Sequence, residues 1–540
     1  MTSDIPTRNV GLAVMTTLRS YGINTIFGIP GTHNLEFYRH LEPLGIHPVT
    51  TRHEQGAGYG ADGWSQMTGL PGVVITTSGP GLLNALSAAA TSYCESRPLI
   101  ILSPGAPRGS EFSDIGSLHE TKDPTGAVRA LIGRSTRVSS GQEAVELIHE
   151  AFAFFAHGRP RPVHIEIPLD LLESASDVDP ADCAARPLGP PKPADDGAVA
   201  AAADILRRAS NPVILAGGGS LGTGGSSGAS ALLELAELLQ APVITTINGK
   251  GAIPEAHPLS LGSEIRLAGA QDLCNASDAL LVIGSKVGES ELWGGKIVPK
   301  GSCIRIDIDP AQLETNLAPA IGLCGNAAAV VPQLLEALDG HRAAPAPVLA
   351  ALRHDLQAEA RSLAPVLAQI NEILAAALPA DTVIGGDSSQ ITYLGTTSFF
   401  PMQQPRQLLY TPAYATLGFG LPASIGAKVA APERPVVCLL GDGALMFAVQ
   451  ELITAVEQGV DLPIICVNNG GYGEIRQNMA DRGIEPVGVN LAQPDWVRLA
   501  EAFGLTAFEV GSLDELAGTV TKAMAVSGPS LIHVSIQLAP

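Results

Sequence analysis

The chain has 540 residues, too many for one hydrophobic core, so two to four domains are expected, with three as the working number. Apolar residues make up 46% and aromatics 4%, with no uncharged apolar run of about eighteen, a soluble globular composition without a membrane span. A formal charge of −21 excludes the basic footprint that nucleic acid or an anionic membrane needs, and is otherwise read as solubility.

The first residues, Met1-Thr2-Ser3-Asp4, lack a basic segment followed by an apolar stretch, and the seven scattered cysteines form no CxxC pair. The expectation is a cytoplasmic protein with reduced thiols, Cys438 and Cys466 being core residues.

Along the chain, short apolar runs alternate with helix-length stretches: Ile23–Ile29, Val73–Thr77, Leu99–Ser103, Pro212–Ala216, Val243–Ile247, Leu280–Ile283, Ile304–Ile308, Val436–Leu440 and Ile464–Val467. That rhythm predicts α/β architecture, parallel sheets covered by helices. Two Pro- and Ala-rich stretches, 174–196 and 340–347, read as linkers and place domains at 1–175, 195–340 and 360–540. The order strand, Gly-containing turn, helix, strand at 73–103 recurs at 436–467, so the outer domains are expected to share a fold. Between them, Gly217-Gly218-Gly219 follows a strand, with Gly222, Gly224 and Gly225 after it; alone, such a turn is weak support for a nucleotide.

The chemistry is concentrated in two motifs. Gly441-Asp442-Gly443 directly follows the strand 436–440, and Asn468-Asn469 directly follows the strand 464–467. Both lie at the carboxyl ends of parallel strands, where open α/β sheets bind ligands. A carboxylate and an amide oxygen suit a hard cation such as Mg²⁺, the glycines admit a diphosphate, and a helix starting near Leu445 would add its dipole. The alternative is a nucleotide-binding turn with a structural Asn pair. The second motif is Arg52-His53-Glu54-Gln55 before a Gly/Ala-rich helix; taken alone, Glu54 reads as either a helix-terminus charge or a catalyst.

Together these motifs resemble the thiamine-diphosphate-dependent family of 2-oxo acid decarboxylases and acetolactate synthases. The similarity extends over FGIPGTHNLEFY (27–38), RHEQGAGYGADG (52–63), TTSGPGLLNA (76–85), KGAIPEAHPLSLG (250–262), LGFGLPASIGA (417–427) and 441–476. Within the family, the LHE (118–120), VGESE (287–291) and NNGGYGEIR (468–476) segments look closest to the 5-guanidino-2-oxopentanoate decarboxylases.

The resemblance implies a pyrimidine-binding, a central and a diphosphate-binding domain, and a homodimer or homotetramer with active sites between subunits. It implies thiamine diphosphate and Mg²⁺ as cofactors, with Asp442, Asn469 and the Gly471 carbonyl as metal ligands. Ser388, Ser389, Gly441, Gly443, Ala444 and Tyr472 would hold the cofactor, Leu417 would prop it in a bent shape, and the Ala415 carbonyl, where many relatives have Gly, would accept from its amino group. Glu54 would hydrogen-bond the pyrimidine nitrogen and so promote loss of the reactive proton. His33, His119 and Glu120 are candidate catalytic groups, and Thr32, His33, Glu474 and Asn478 candidate substrate contacts; Glu474 and Asn478 stand where relatives carry apolar or aromatic side chains. FAD is not expected, because LGSEIRLAGA replaces the family's flavin-binding segment. The implied reaction is non-oxidative decarboxylation of a small-molecule 2-oxo acid, with a guanidino or other cationic tail as one form of it. An acetolactate-synthase-like carboligase is the alternative.

Overall fold

The computed structural model describes residues 7–222, 227–344 and 349–536, so Gly224, Gly225 and positions 345–347 of the second linker lie outside the described residues. Three parallel sheets follow one another along the chain. The first contains β1 (Thr25–Gly28), β2 (His47–Thr50), β3 (Gly72–Ile75), β4 (Leu99–Gly105), β5 (Ser135–Arg137) and β6 (Val163–Pro168), in the order β2-β1-β3-β4-β6-β5. The second contains β7 (Pro212–Ala216), β8 (Val243–Thr245), β9 (Ala279–Ile283), β10 (Ser302–Asp307) and β11 (Ile321–Cys324), ordered β11-β10-β9-β7-β8. The third contains β12 (Val383–Gly386), β13 (Leu408–Leu409), β14 (Val436–Gly441), β15 (Pro463–Asn468), β16 (Thr506–Glu509) and β17 (Ser530–Ser535), ordered β13-β12-β14-β15-β17-β16.

The central strands of each sheet are apolar and buried along their length, as a sheet covered by helices on both faces requires. Counted from its own first strand, the third sheet repeats the order of the first, and the pair β3–β4 occupies the same place as β14–β15. The two outer sheets therefore share a topology, as the repeated motif predicts. Each has a switch point where the strand order turns back, between β1 and β3 and between β12 and β14, which makes the crevice above β12 and β14 a natural ligand site of the third sheet.

The chain forms two compact units: residues 1–189 with 422–431 and 448–460, and residues 190–421 with 432–447 and 461–540. In the first, the helix Glu54–Thr68 has small residues where neighbours approach closely. A Cβ on Gly63 would lie 2.0 Å from the Ala423 carbonyl oxygen, and one on Gly426 would lie 1.9 Å from that of Gly60. In the second, the Gly217–Gly219 turn is filled by the chain itself. A Cβ on Gly217 would meet the Gly284 oxygen at 2.3 Å, so close packing against the turn after β9 accounts for these glycines. The helix expected near Leu445 is instead a single turn, Asp442–Leu445, followed by a 3₁₀ turn at Val449–Glu451. Four residues align too few peptides for a useful dipole, which removes that element of the sequence argument. Among the described residues no helix is long and apolar enough to cross a membrane.

Candidate active site

In the second unit, the ends of β12, β14 and β15 converge on one cavity of about 950 Å³. Ser388, Ser389, Ala415, Leu417, Gly441, Asp442, Gly443, Ala444, Asn469, Gly471, Tyr472, Glu474 and Asn478 all line it, so the structure gathers the whole predicted diphosphate-side set. Glu289 and Ser290 of the 287–291 motif reach the same cavity.

The floor is a set of backbone turns held by side chains. Asp387, fully buried at the end of β12, accepts from Ser388 N (2.8 Å), Gly418 N (3.2 Å) and Gly420 N (2.7 Å), so it fixes the loop carrying Ala415 and Leu417. Burial pushes its carboxyl up to about 6, against the pull of those amides. Ala415 has φ +52°, a left-handed conformation costing a side chain about 1–3 kcal/mol. Ser389 Oγ accepts from Gly441 N at 3.1 Å.

Asp442 is buried, and its two oxygens are divided: Oδ1 accepts from Asn469 N (3.2 Å) and Oδ2 from Gln493 Nε2 (2.9 Å). Gln493 Oε1 in turn accepts from Trp496 Nε1 at 3.3 Å. Asn469 Oδ1 lies 2.8 Å from the Gly471 carbonyl oxygen and 3.2 Å from Asp442 Oδ1. Turned over, that side-chain amide would donate to both oxygens; with its oxygen inward, the three oxygens form a set that a cation would hold together. Adjacent oxygens around an octahedral Mg²⁺ with bonds of 2.0–2.1 Å stand about 3 Å apart, so carboxylate, amide and carbonyl together fit that ion. The diphosphate fits as well. Ser388 Oγ is buried without a hydrogen-bond partner, and a Cβ on Gly443 would close to 3.1 Å on the Tyr472 ring.

Glu474 Oε2 accepts from Gln390 Nε2 (3.0 Å) and from the Tyr393 hydroxyl (3.3 Å). Arg476, its obvious partner by sequence, turns elsewhere: it donates to Asn490 Oδ1 at 2.9 Å and to the Asn469 carbonyl at 3.5 Å. Among the described residues Glu474 forms no ion pair.

The first unit carries the other candidates. Glu54 opens its helix, capped by the His53 side chain accepting from Gln55 N at 3.1 Å. It is 8% exposed, and Oε2 accepts from Asn84 Nδ2 at 3.0 Å. Buried Glu451 holds the turn before it, accepting from Arg52 N and His53 N, each at 3.1 Å. His33 and His119 come together, with ring centroids 5.3 Å apart. Ser78 Oγ stands between them, 2.6 Å from His33 Nδ1 and 3.5 Å from His119 Nδ1. Burial first, then the neighbouring His119, lower the His33 pKa. Thr32 is exposed on the same loop as His33. Glu120 does not join the imidazoles: it is exposed and accepts from Ile115 N and Gly116 N, each at 3.0 Å, closing its own loop.

Asp387, Gln390, Gln493, Asn84, Ser78 and Glu451 escaped the sequence reading. Each acts by a hydrogen bond to a residue outside its own motif, so no local spacing announces it.

Three family models match: the thiamine pyrophosphate enzyme N-terminal binding domain over residues 8–125, within the first sheet's part of the chain, the central domain over 199–334, spanning the second sheet, and the C-terminal binding domain over 391–534, taking in most of the third. The chain belongs to the thiamine pyrophosphate enzymes. It is 38% identical to a probable 2-ketoarginine decarboxylase of Pseudomonas aeruginosa, over 98% of this chain and 94% of that protein. A probable acetolactate synthase large subunit of Methanocaldococcus jannaschii is 32% identical over 97% of this chain and 91% of its own length. The acetolactate synthase isozyme 3 large subunit of Escherichia coli is 30% identical over 95% and 91%.

Proposed function

We propose that this enzyme decarboxylates, without oxidation, a 2-oxo acid whose far end carries a cation, with guanidinium the best fit. The observation that carries the choice of substrate is Glu474, a carboxylate at the cavity held only by neutral donors. A planar guanidinium can offer a carboxylate two parallel N–H bonds, which an ammonium cannot. The likeness to the 2-ketoarginine decarboxylase, whose named substrate has this tail, supports the same reading.

Asp442, Asn469 and the Gly471 carbonyl would hold Mg²⁺, and Ser388, Ser389, Gly441, Gly443, Ala444 and Tyr472 would seat the diphosphate beside it. Leu417 and the Ala415 carbonyl would shape and orient the rest of the cofactor. When bound, thiamine diphosphate supplies the nucleophilic carbon and the electron sink for loss of carbon dioxide. Glu54 would hold a proton against the pyrimidine through Oε1, the oxygen Asn84 leaves open. His33, with His119 behind it through Ser78, would hold or release a proton near the substrate carboxylate or carbonyl; Thr32 and Asn478 would line its path. Glu120 is assigned to its loop rather than to the chemistry. Following the family, we place the active site between two copies of the chain.

A carboligase reading draws on the acetolactate synthase relatives, and one assay separates the two. With saturating Mg²⁺ and cofactor, 5-guanidino-2-oxopentanoate, uncharged 2-oxo acids of similar length and pyruvate are compared for carbon dioxide, aldehyde and hydroxyketone. Aldehyde from the cationic substrate is expected, and acetolactate from pyruvate as the main product would favour the carboligase. Glu474→Gln should lower kcat/KM by tenfold or more, about 1.4 kcal/mol, for the cationic substrate alone. An equal loss on neutral substrates would remove charge reading from Glu474.

A further inference from the structure

We infer that Glu474 and Gln390 fix the orientation of the Asn469 amide and are positioning residues for the cation; the inference rests on the metal reading of Asp442, Asn469 and Gly471. Hydrogen-bond polarity sets the orientation. An ionised carboxylate can only accept, so Gln390 turns its Nε2 to Glu474 Oε2 at 3.0 Å. Its Oε1 then faces the other way and accepts from Asn469 Nδ2 at 3.2 Å. With its nitrogen committed there, Asn469 is left presenting Oδ1 to the Gly471 carbonyl at 2.8 Å and to Asp442 Oδ1 at 3.2 Å.

The opposite orientation has its own attraction in the absence of a cation. Turned over, the Asn469 amide would donate to both of those oxygens. It would also bring its own oxygen to 3.2 Å from Gln390 Oε1. Relieving that repulsion requires Gln390 to turn as well, which sets a carbonyl oxygen against the Glu474 carboxylate. The single group in this row that cannot reverse is the carboxylate, and its polarity passes through two amides to the metal ligand. Glu474 thereby sits at one end of a chain with substrate on one side and metal on the other. Hydrogen-bonded partners behind metal ligands commonly change affinity by about 10–100-fold when removed.

The test is Mn²⁺ binding to the full-length protein with thiamine diphosphate, followed by electron paramagnetic resonance and calorimetry, with no turnover needed. Gln390→Leu should weaken Mn²⁺ by about tenfold or more. Glu474→Gln, which lets both amides take either orientation, should also weaken it. The exchanged pair Gln390→Glu with Glu474→Gln keeps an acceptor facing Asn469 and a donor facing residue 390, and should return affinity to within about threefold of wild type. Wild-type affinity in Gln390→Leu, or an exchanged pair no better than Glu474→Gln alone, would overturn the inference. If Gln390→Leu does not fold, the comparison of Glu474→Gln with the exchanged pair decides. Asp442→Ala separates the two levels: metal retained at full affinity sinks the metal reading, whereas metal lost there but normal in Gln390→Leu sinks only the polarity chain.

Discussion

With Asn84 Nδ2 on Oε2 at 3.0 Å, Glu54 keeps one carboxylate oxygen committed to the protein, and the burial of the helix start keeps water from competing for the other. A glutamine at this position has the same shape and can still hydrogen-bond, but it cannot hold an acidic proton. Glu54→Gln should therefore leave fold and cofactor binding intact and reduce turnover by about a hundredfold or more, the scale for removing a positioned acid or base. Circular dichroism, cofactor titration and steady-state rates check this; near-normal turnover would take Glu54 out of the mechanism. Asp442 and Asn469 stood out in the sequence because each lies just after a strand, where side-chain chemistry is confined by the backbone, whereas Glu54, readable alone as a helix-terminus charge, gained its role only from the family resemblance. The sequence did not make visible the amides and hydroxyls behind them. Gln493, 51 residues from Asp442, and Asn84, 30 from Glu54, become neighbours only when strands and helices are assembled.

At the scale of elements, apolar runs marked β3, β4, β9, β14 and β15, which are buried on both faces, but not the interior strands β6, β12 and β17; β6 carries buried His164 and Glu166, which break its apolar run. The edge strands β2 and β5 are short and partly exposed, with little apolar content, and β13, Leu408–Leu409, is too short to read as a run. The Gly/Ala pattern of Glu54–Thr68 was legible as a helix meant for close packing, but not the surface that it meets. That surface includes Gly426, where an added methyl would collide with the Gly60 carbonyl at 1.9 Å, backbone against Cβ. Neither side can yield without moving a whole helix, so Gly426→Ala should cost about 1–3 kcal/mol or more. The control is Gly518→Ala in the helix Leu513–Met524, where nothing lies within 4 Å and alanine should add up to about 1 kcal/mol. Thermal unfolding should move in opposite directions for the two; equal midpoints would mean that this helix contact contributes nothing to the fold.

At the scale of the whole molecule, Glu54 belongs to one compact unit and the Asp442 loop to the other. The proposal that two copies build each active site can be decided by complementation. In a dimer of Glu54→Gln with Asp442→Ala, one shared site has both defects and the other has neither, because each site draws Glu54 from one chain and Asp442 from its partner. Each variant alone should be inactive. Unfolding and refolding them together, or co-expressing them with different tags and isolating the mixed dimer, should restore activity. Random one-to-one mixing makes about half of the dimers mixed, each with one whole site, so about a quarter of wild-type activity is expected. Sites formed within a single chain would give the opposite result, since every site would then retain one defect. A mixed dimer, verified by both tags and by its mass, that stays as inactive as its parents would therefore refute the shared site while leaving the assignments of Glu54 and Asp442 standing.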